Sequence, residues 1–500
     1  MRKSVLLLAL FALAVIVVAC APAPAPTVAP TAVPVKPTTA PAAPTAAPAA
    51  PTSAPAATQA PAPTTAPTVA PTAAPSAGGV VVQTLGRDYL AYPKTKGTVR
   101  FFNCWGGARI PLIEAWIKDF NAIYPDIKVM NDVQDCSKIL QTMVTQIAGG
   151  DAPNVVMVQS NNFPFLAKDS TLLPLDDLVK RDKVDPAWFY DSEWNARTYG
   201  GKFYGMPNVT AGGQHLLYYN TALLDKIGWD SKKVPATWQD LDAMVEPAKK
   251  AGLFVMDPAK ASTGQSTLAV AIYANGGAYW TDDLKTVTYN SPEAVEAAEW
   301  YLKFVKAQAG KYENLAVAGN RKDVIQAPAW GAEKYVAAVN GSWFAYQLNQ
   351  QAANVKYGIA PFPRNANNAK ANGYTFIEGG WAFSIPKIAK DQEAAWEFIK
   401  FVTASKSACE FVVAQVRPSP AKSCNEDPRL KAITPYWNII QDSLSRARIV
   451  PLTDIHPQFQ DIFFEAEDNI LYEKMSPKAA LDKATADAQK LLDDWNKTKK

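Results

Sequence analysis

Between Ala21 and about Gly79 the chain is built almost entirely from Ala, Pro, Thr, Val and Ser, with one charge at Lys36. Such a stretch has too little varied apolar surface to offset the entropy of ordering it. Its recurrent prolines favour polyproline II, at about 3.1 Å per residue, so a disordered but semi-rigid tether is expected. The Thr- and Pro-rich composition also permits O-glycosylation. Any packed core must therefore come from the rest of the chain. Roughly Lys94 to Lys500 is long enough for two domains of ordinary size.

The residues ahead of the tether address the compartment. Arg2 and Lys3 form a positive n-region, and Val5 to Ala19 is an unbroken apolar run. A comfortable membrane span needs about 20 residues, so this run suits a signal-peptide core instead. It ends Val17-Val18-Ala19-Cys20, which resembles the bacterial lipobox. That resemblance implies a signal peptide over 1–19, a lipid-modified Cys20 and a linker over 20–93. The product would be extracytoplasmic and anchored to the cell membrane, more than one acyl chain being needed for stable anchoring.

Charge and composition exclude several classes. The net charge of +4 falls by two once Arg2 and Lys3 leave, and no basic cluster stands out, so nucleic acid is not an expected partner. The chain holds two histidines, His215 and His456, too few for a His-based metal site or triad. No GxxxxGK[ST] phosphate loop occurs, and neither a metal nor another cofactor is expected. Cys104, Cys136, Cys409 and Cys424 remain after Cys20, an even count that suggests two disulfides in an exported chain. Three pairings are possible, and the sequence-local one, 104 with 136 and 409 with 424, is the expectation. Aromatic residues make up 11% of the chain with 14 Trp, enough to supply both cores and a binding surface.

Strand and helix signals alternate along the body, which argues for an α/β architecture. Thr98 to Phe102 reads as a strand that runs into the loop Asn103-Cys104-Trp105-Gly106-Gly107. Ile113, Trp116, Ile117 and Phe120 then follow helical spacing. Asn154 to Val158 reads as a buried strand that opens onto Gln159-Ser160-Asn161-Asn162. Thr237, Ser291 before Pro292, Asp391, and Ser476 before Pro477 mark helix starts.

In their order and spacing, four segments resemble the family 1 extracellular solute-binding proteins, the maltose-binding-protein-like group. They are Phe101 to Val129, ending FNAIYPDIKV; QIAGGDAPNVVMV from Gln146 with Leu172 to Asp177; GKFYGMP from Gly201 with LLYYNTALLDKIGWD and VPATWQDL; and GGWAFSIPK from Gly379 with EAAWEFIKFVT. The resemblance covers about Gly97 to Trp495. It implies the type II two-lobe periplasmic-binding-protein fold, in which two α/β lobes are joined by a hinge. Lobe one would be 95–209 and 375–422, and lobe two 213–371 and 425–500. Asn208 to Gly213 would be the first crossing, with Ala211-Gly212-Gly213 free to rotate. It further implies the substrate-binding component of an ABC importer, a monomer that captures a mono- or oligosaccharide and hands it to permease subunits.

Sugars present apolar C–H faces and rims of hydroxyls, so their sites need aromatic rings and fixed polar partners. Residues at strand mouths are the candidates: Trp105, Gln159, Asn161, Asn162, Tyr279, Trp280, Trp343, Gly379, Gly380, Trp381 and Arg417. The resemblance adds sugar stacking for Trp343 and a nearby aromatic role for Tyr279. It also implies a cleft-lining turn at Gly379 to Trp381 and a polar or charged cleft position at Arg417. Trp116, Trp194, Trp238, Trp300, Trp396 and Trp495 read as core. No catalytic residue is assigned. Tyr218-Tyr219 is ordinary strand sequence rather than an iron site, because neighbours on a strand point to opposite faces. Asp176-Asp177 and Asp282-Asp283 read as caps or turns rather than the opposed carboxyls of a glycosidase. The rival functions are a secreted carbohydrate-active enzyme and a sensory or adhesive lipoprotein.

Overall fold

The computed structural model describes residues 80–82, 87–210, 215–256, 266–315, 330 and 335–498. Cys20 and Ala211 to Gly213 lie outside the described residues. Nine strands build two sheets. They are β1 Gly97–Asn103, β2 Ile127–Val133, β3 Val155–Gln159, β4 Met206–Val209, β5 Leu216–Asn220, β6 Phe254–Met256, β7 Tyr335–Asn340, β8 Tyr357–Ala360 and β9 Trp381–Ser384.

Lobe one holds the five-stranded sheet in the order β2-β1-β3-β9-β4, and lobe two the four-stranded sheet β6-β7-β5-β8. In lobe one β1 is parallel to β2 and β3, while β9 runs antiparallel to β3 and β4. β3 is buried over its first four residues, Val155 to Val158, as a strand covered on both faces must be. Helices Ile110–Ile123 and Gln392–Ala404 pack on this sheet. They contribute Trp116, Phe120, Trp396 and Phe398 to a core around Phe101 and Phe383. Lobe two has its own core, in which helices Trp238–Lys250 and Pro292–Ala309 join the C-terminal pair His456–Leu471 and Pro477–Lys497.

Local chemistry explains the helix starts. Thr237 and Asp240 form a reciprocal capping box, and the Ser291 and Ser476 side chains accept from Ala294 and Ala479. Asp391 differs from the expected cap. It sits at φ 50° with no cap bond of its own, and Oδ2 accepts the Thr98 amide at 3.0 Å, tying the helix to β1. Two disulfides, Cys104–Cys136 and Cys409–Cys424, close loops within lobe one. Trp116, Trp238, Trp396 and Trp495 are buried, while Trp194 stacks on Phe203 and Trp300 on Trp238.

Two boundaries move. Phe376 packs in the core of lobe two and Phe376–Ile377 pairs with Arg448–Ile449, so the return to lobe one begins at Glu378 rather than at 375. The packed body also starts before 94, because Arg87, Tyr89 and Ala91 are buried and Val80–Val82 pairs with Tyr89–Ala91. Arg87 Nη2 donates to Cys409 Sγ at 2.9 Å. The Leu90 amide donates to the Asp182 carbonyl at 2.9 Å, and Lys400 Nζ donates to the Leu90 carbonyl at 2.7 Å.

Lys400 is the centre of this clasp. Its ammonium, with Asp182 fully buried beside it, also donates to Asp182 Oδ2 at 2.5 Å and Glu397 Oε1 at 2.8 Å. Burial alone would raise the Asp182 pKa, but donation from Arg181 and Lys400 outweighs it and holds the carboxyl below its usual value. Glu397 goes the other way, pushed up by burial despite Lys400. Removing one partner strands the others in a dry interior, which costs about 3–5 kcal/mol. Lys400→Met is therefore expected to lower the urea-extrapolated unfolding free energy by about that amount. A loss below about 1 kcal/mol would show that water already reaches the cluster.

Candidate functional site

The crevice between the lobes is floored by the strand ends of lobe one. Gly379 has φ +86°, and a Cβ on it would meet Ser160 Cβ at 2.2 Å. A Cβ on Gly380 would stand 1.8 Å from the Val209 carbonyl oxygen. Only glycines permit this approach, and it lets the Gly380 carbonyl accept from the Ser160 amide at 2.9 Å and hydroxyl at 2.8 Å. Trp381, half-buried, then pairs across the sheet with Gln159 and Val209. Gln159 and Asn162 are likewise half-buried at the mouth of β3, while Asn161 is buried.

Two polar groupings sit at this floor. The first surrounds Glu378, which is 3% exposed. Its Oε2 accepts from Asn161 Nδ2 of lobe one at 3.3 Å and from Gln460 Nε2 of lobe two at 3.1 Å. Its Oε1 lies 3.5 Å from His456 Nε2, too far for a good hydrogen bond. Trp280 packs edge-on to His456. The Trp280 indole N–H, Asn161 Oδ1, both His456 ring nitrogens, Glu378 Oε1 and Thr453 Oγ1 are buried and meet no hydrogen-bond partner in the protein. Of these residues Glu378 alone lines a cavity of about 380 Å³, whose walls come from both lobes and include Gly379, Tyr199, Glu193, Pro164 and Leu452.

The second grouping surrounds Trp343, the first residue of helix Trp343–Gln351. One side of its ring rests on Gly341, where a Cβ would clash at 2.0 Å. The Arg417 guanidinium lies over the ring, 4.6 Å from its centroid. Arg417 Nη2 donates to the Thr210 carbonyl at 3.3 Å, and Nε is buried without a partner. Burial lowers the Arg417 pKa to about 9, and Arg109 pushes in the same direction. Arg109 Nε donates to Gln415 at 3.0 Å. The lobes touch on both flanks of the crevice. Tyr346 Oη of lobe two donates to the Ala108 carbonyl at 2.9 Å, and Lys168 pairs with the nearly buried Asp454 at 2.6 Å.

Three predicted stacking rings lie elsewhere. Trp105 is 2% exposed and packed among Trp116, Phe383 and Phe411, inside the core of lobe one. Tyr279 is enclosed by Tyr273, Tyr289, Phe376 and Phe463. The Trp280 ring rests on Phe459, and its buried N–H meets no hydrogen-bond partner. Trp105 follows a strand, and Tyr279 and Trp280 follow helix Thr267–Ala274; in both places the rings pack into a core. The sequence reading missed Glu378, His456 and Gln460. Glu378 directly precedes the Gly379-Gly380 pair, a signal that was available, whereas His456 and Gln460 lie on a C-terminal helix with no local motif. The other tempting groups have structural partners. Tyr218 Oη donates to the Gly341 carbonyl, Asp176 accepts the Phe203 amide, and Asp282 pairs with Arg448. Among the described residues no three His, Cys, Asp or Glu side chains group as metal ligands.

A family model described as bacterial extracellular solute-binding protein matches residues 108–408, more than half of the chain. The chain belongs to that family. Among its relatives is a multiple sugar-binding protein of Streptococcus mutans, 25% identical over 72% of this chain and 82% of the relative. Among solved structures, a Listeria monocytogenes ABC substrate-binding protein in complex with cycloalternan superposes with TM-score 0.69. It is 21% identical and covers 79% of this chain and 99% of its own. A Thermotoga lettingae solute-binding protein bound with α-D-tagatose also gives 0.69, at 22% identity over 80% of this chain and all of the other. The two-lobe architecture is thus that of the family's solved members, and no described helix is long and apolar enough to cross a membrane.

With Trp105 enclosed by rings of its own lobe, its truncation acts on folding. Trp105→Ala should cost about 3–5 kcal/mol in unfolding free energy. A urea titration that found less than about 1 kcal/mol would put the ring back at the crevice surface.

Proposed function

We propose that this family member captures a carbohydrate between its lobes and delivers it to the permease of an ABC importer. The single observation that carries this reading is the grouping around Glu378. Buried donors and acceptors from both lobes converge there with hydrogen-bonding capacity left over, and Glu378 itself lines a cavity of about 380 Å³. A buried polar atom without a partner costs about 1–3 kcal/mol, and a ring of hydroxyls supplies both donors and acceptors to relieve it. The relatives named for sugars, and the neighbours solved with cycloalternan and tagatose, support the same class.

In this mechanism Glu378 and the Gly379-Gly380 turn stay fixed while the lobes swing about the crossings. Ligand binds one lobe first, and the second lobe completes the contacts. Closure is driven only by the difference in ligand affinity between the open and closed forms. No bond is made or broken. Cys20, acylated, holds the monomer at the outer face of the membrane, and the stretch after it acts as the tether. Trp381 and the amides of Gln159, Asn161 and Asn162 serve as contacts from lobe one, and the Trp280 N–H and Trp343 as contacts from lobe two.

A thermal-shift screen of the body from Val80 onward against mono- and oligosaccharides tests the reading. A sugar at 100 times its dissociation constant should add about 2.7 kcal/mol of stability. Asn161→Ala and Gln460→Ala should each weaken the best ligand by about tenfold, since each removes a hydrogen bond to a charged group that organises the site. A screen in which no sugar stabilises the protein overturns the proposal. A shortened glycan recovered after incubation would point to an enzyme instead. For the anchor, Cys20→Ser should move the protein from the membrane fraction to the medium or periplasm, and unchanged fractionation removes that part of the reading.

A further inference from the structure

The crevice is electrically lopsided. At the Glu378 end the carboxylate accepts from two amides and faces His456. At the Trp343 end the formal charge is positive. Arg417 is 3% exposed, and no carboxylate oxygen stands within 4.0 Å of it among the described residues. Glu193, an acidic group that acts on it, already binds Arg197 Nη1 at 2.7 Å, and Arg197 is itself buried. Arg109 adds a second guanidinium on the same side. A guanidinium of this kind carries five N–H donors in a planar fork, and here a single one meets a protein acceptor, the Thr210 carbonyl at 3.3 Å.

The ring beneath holds the fork in place. Trp343 is backed by Gly341 and cannot retreat, so the guanidinium plane is presented at a fixed place between Thr210 of the first crossing and the indole of lobe two. Two other buried cations have carboxylates: Lys400 has Asp182 and Glu397, and Arg197 has Glu193. Arg87 does not, but its guanidinium is enclosed by Cys409, Cys424 and the Ser405 carbonyl of lobe one, whereas Arg417 lies between Thr210 of the first crossing and Trp343 of lobe two.

We propose that the captured carbohydrate carries an acidic group, a carboxylate or a phosphate, and that Arg417 on the face of Trp343 is its counter-ion. This rests on the carbohydrate-capture reading and narrows it. Uronic-acid oligosaccharides and sugar phosphates share the required chemistry, planar or tetrahedral oxygens that accept two N–H bonds from one guanidinium. The neutral rings of the same ligand would extend toward Glu378 and its amides.

Isothermal titration with matched pairs decides it: a hexuronate oligosaccharide against its neutral counterpart, and a hexose phosphate against the free hexose. At low salt the acidic member of one pair should bind at least about tenfold tighter, the size of one charge-assisted hydrogen bond. Which pair shows the preference separates carboxylate from phosphate. Arg417→Gln should reduce that preference to within about threefold, and Arg417→Lys should keep part of it. Should Arg417→Gln not fold, the wild-type protein still answers, because added salt should weaken the acidic ligand and leave the neutral one nearly unchanged. Equal or tighter binding of the neutral members overturns the proposal while leaving sugar capture standing. A preference that survives Arg417→Gln, or that ignores salt, overturns it too. If no member of any pair binds, sugar capture fails and this proposal falls with it.

Discussion

A methyl group added to Gly380 would stand 1.8 Å from the Val209 carbonyl oxygen, and one added to Gly379 would strike Ser160. The site depends on the close approach that these two glycines allow. It seats β9 between β3 and β4, so that a strand returning from lobe two completes the sheet of lobe one. The same approach fixes the Ser160 hydroxyl on the Gly380 carbonyl, and with it the turn that carries Asn161. Glu378, one residue earlier, is then held where both lobes can reach it, with Asn161 on one side and Gln460 on the other. A larger residue would push the crossing strand off Ser160 at position 379 and off β4 at position 380, and either would separate the carboxylate from its amides.

Sequence reasoning reached the fold because the fold is written in local rules. The buried run Val155 to Val158, the helical spacing of Ile113, Trp116 and Phe120, and the capping residues Thr237, Ser291 and Ser476 each specify an element by themselves. The Gly379-Gly380 pair was legible as a close approach for the same reason. Side-chain destination was not. Trp105 and Trp343 both follow strands and both belong to Trp-and-Gly loops, yet one ring is taken into a core by Trp116 and Phe411 while the other lies against Arg417. What separates them is the partner surface, supplied by helix Lys406–Ala414 and by Arg417, some 300 and 70 residues away in the chain. His456 and Gln460 were hidden for a related reason. Their helix reads as an ordinary amphipathic C-terminal element, and the fact that its first turn meets Asn161 and Glu378 is a property of tertiary docking alone.

Buried polarity is answered to different degrees around Lys400 and around the crevice, although single unpartnered atoms such as Arg87 Nε, Tyr89 Oη and Trp238 Nε1 also occur away from the crevice. Around Lys400 every strong group is answered: the ammonium has two carboxylates and a carbonyl, Asp182 also accepts from Trp396, and Glu397 from Tyr124. Such a network holds a clasp shut, here the segment Arg87 to Ala91 that joins the body to the residues before it. Around Glu378 and Arg417 the groups are as deeply buried but incompletely answered, and they are drawn from both lobes and from the crossings between them. A packed interior tolerates that only at a cost, because each unmade bond keeps its desolvation penalty.

That cost also bears on how the lobes are coupled. Contacts on the flanks, Tyr346 to Ala108 and Lys168 to Asp454, are satisfied and bring the halves together without regard to what lies between them. Left to themselves they would favour a shut crevice whether or not it was filled. The unanswered groups at the centre oppose this, since shutting an unfilled crevice removes their water and returns nothing. In the proposed mechanism, the balance between satisfied flanks and an unsatisfied centre would make closure conditional on a ligand of complementary polarity. On the same proposal the discrimination would be strongest at Arg417, where the group left without a carboxylate is a full charge rather than a dipole.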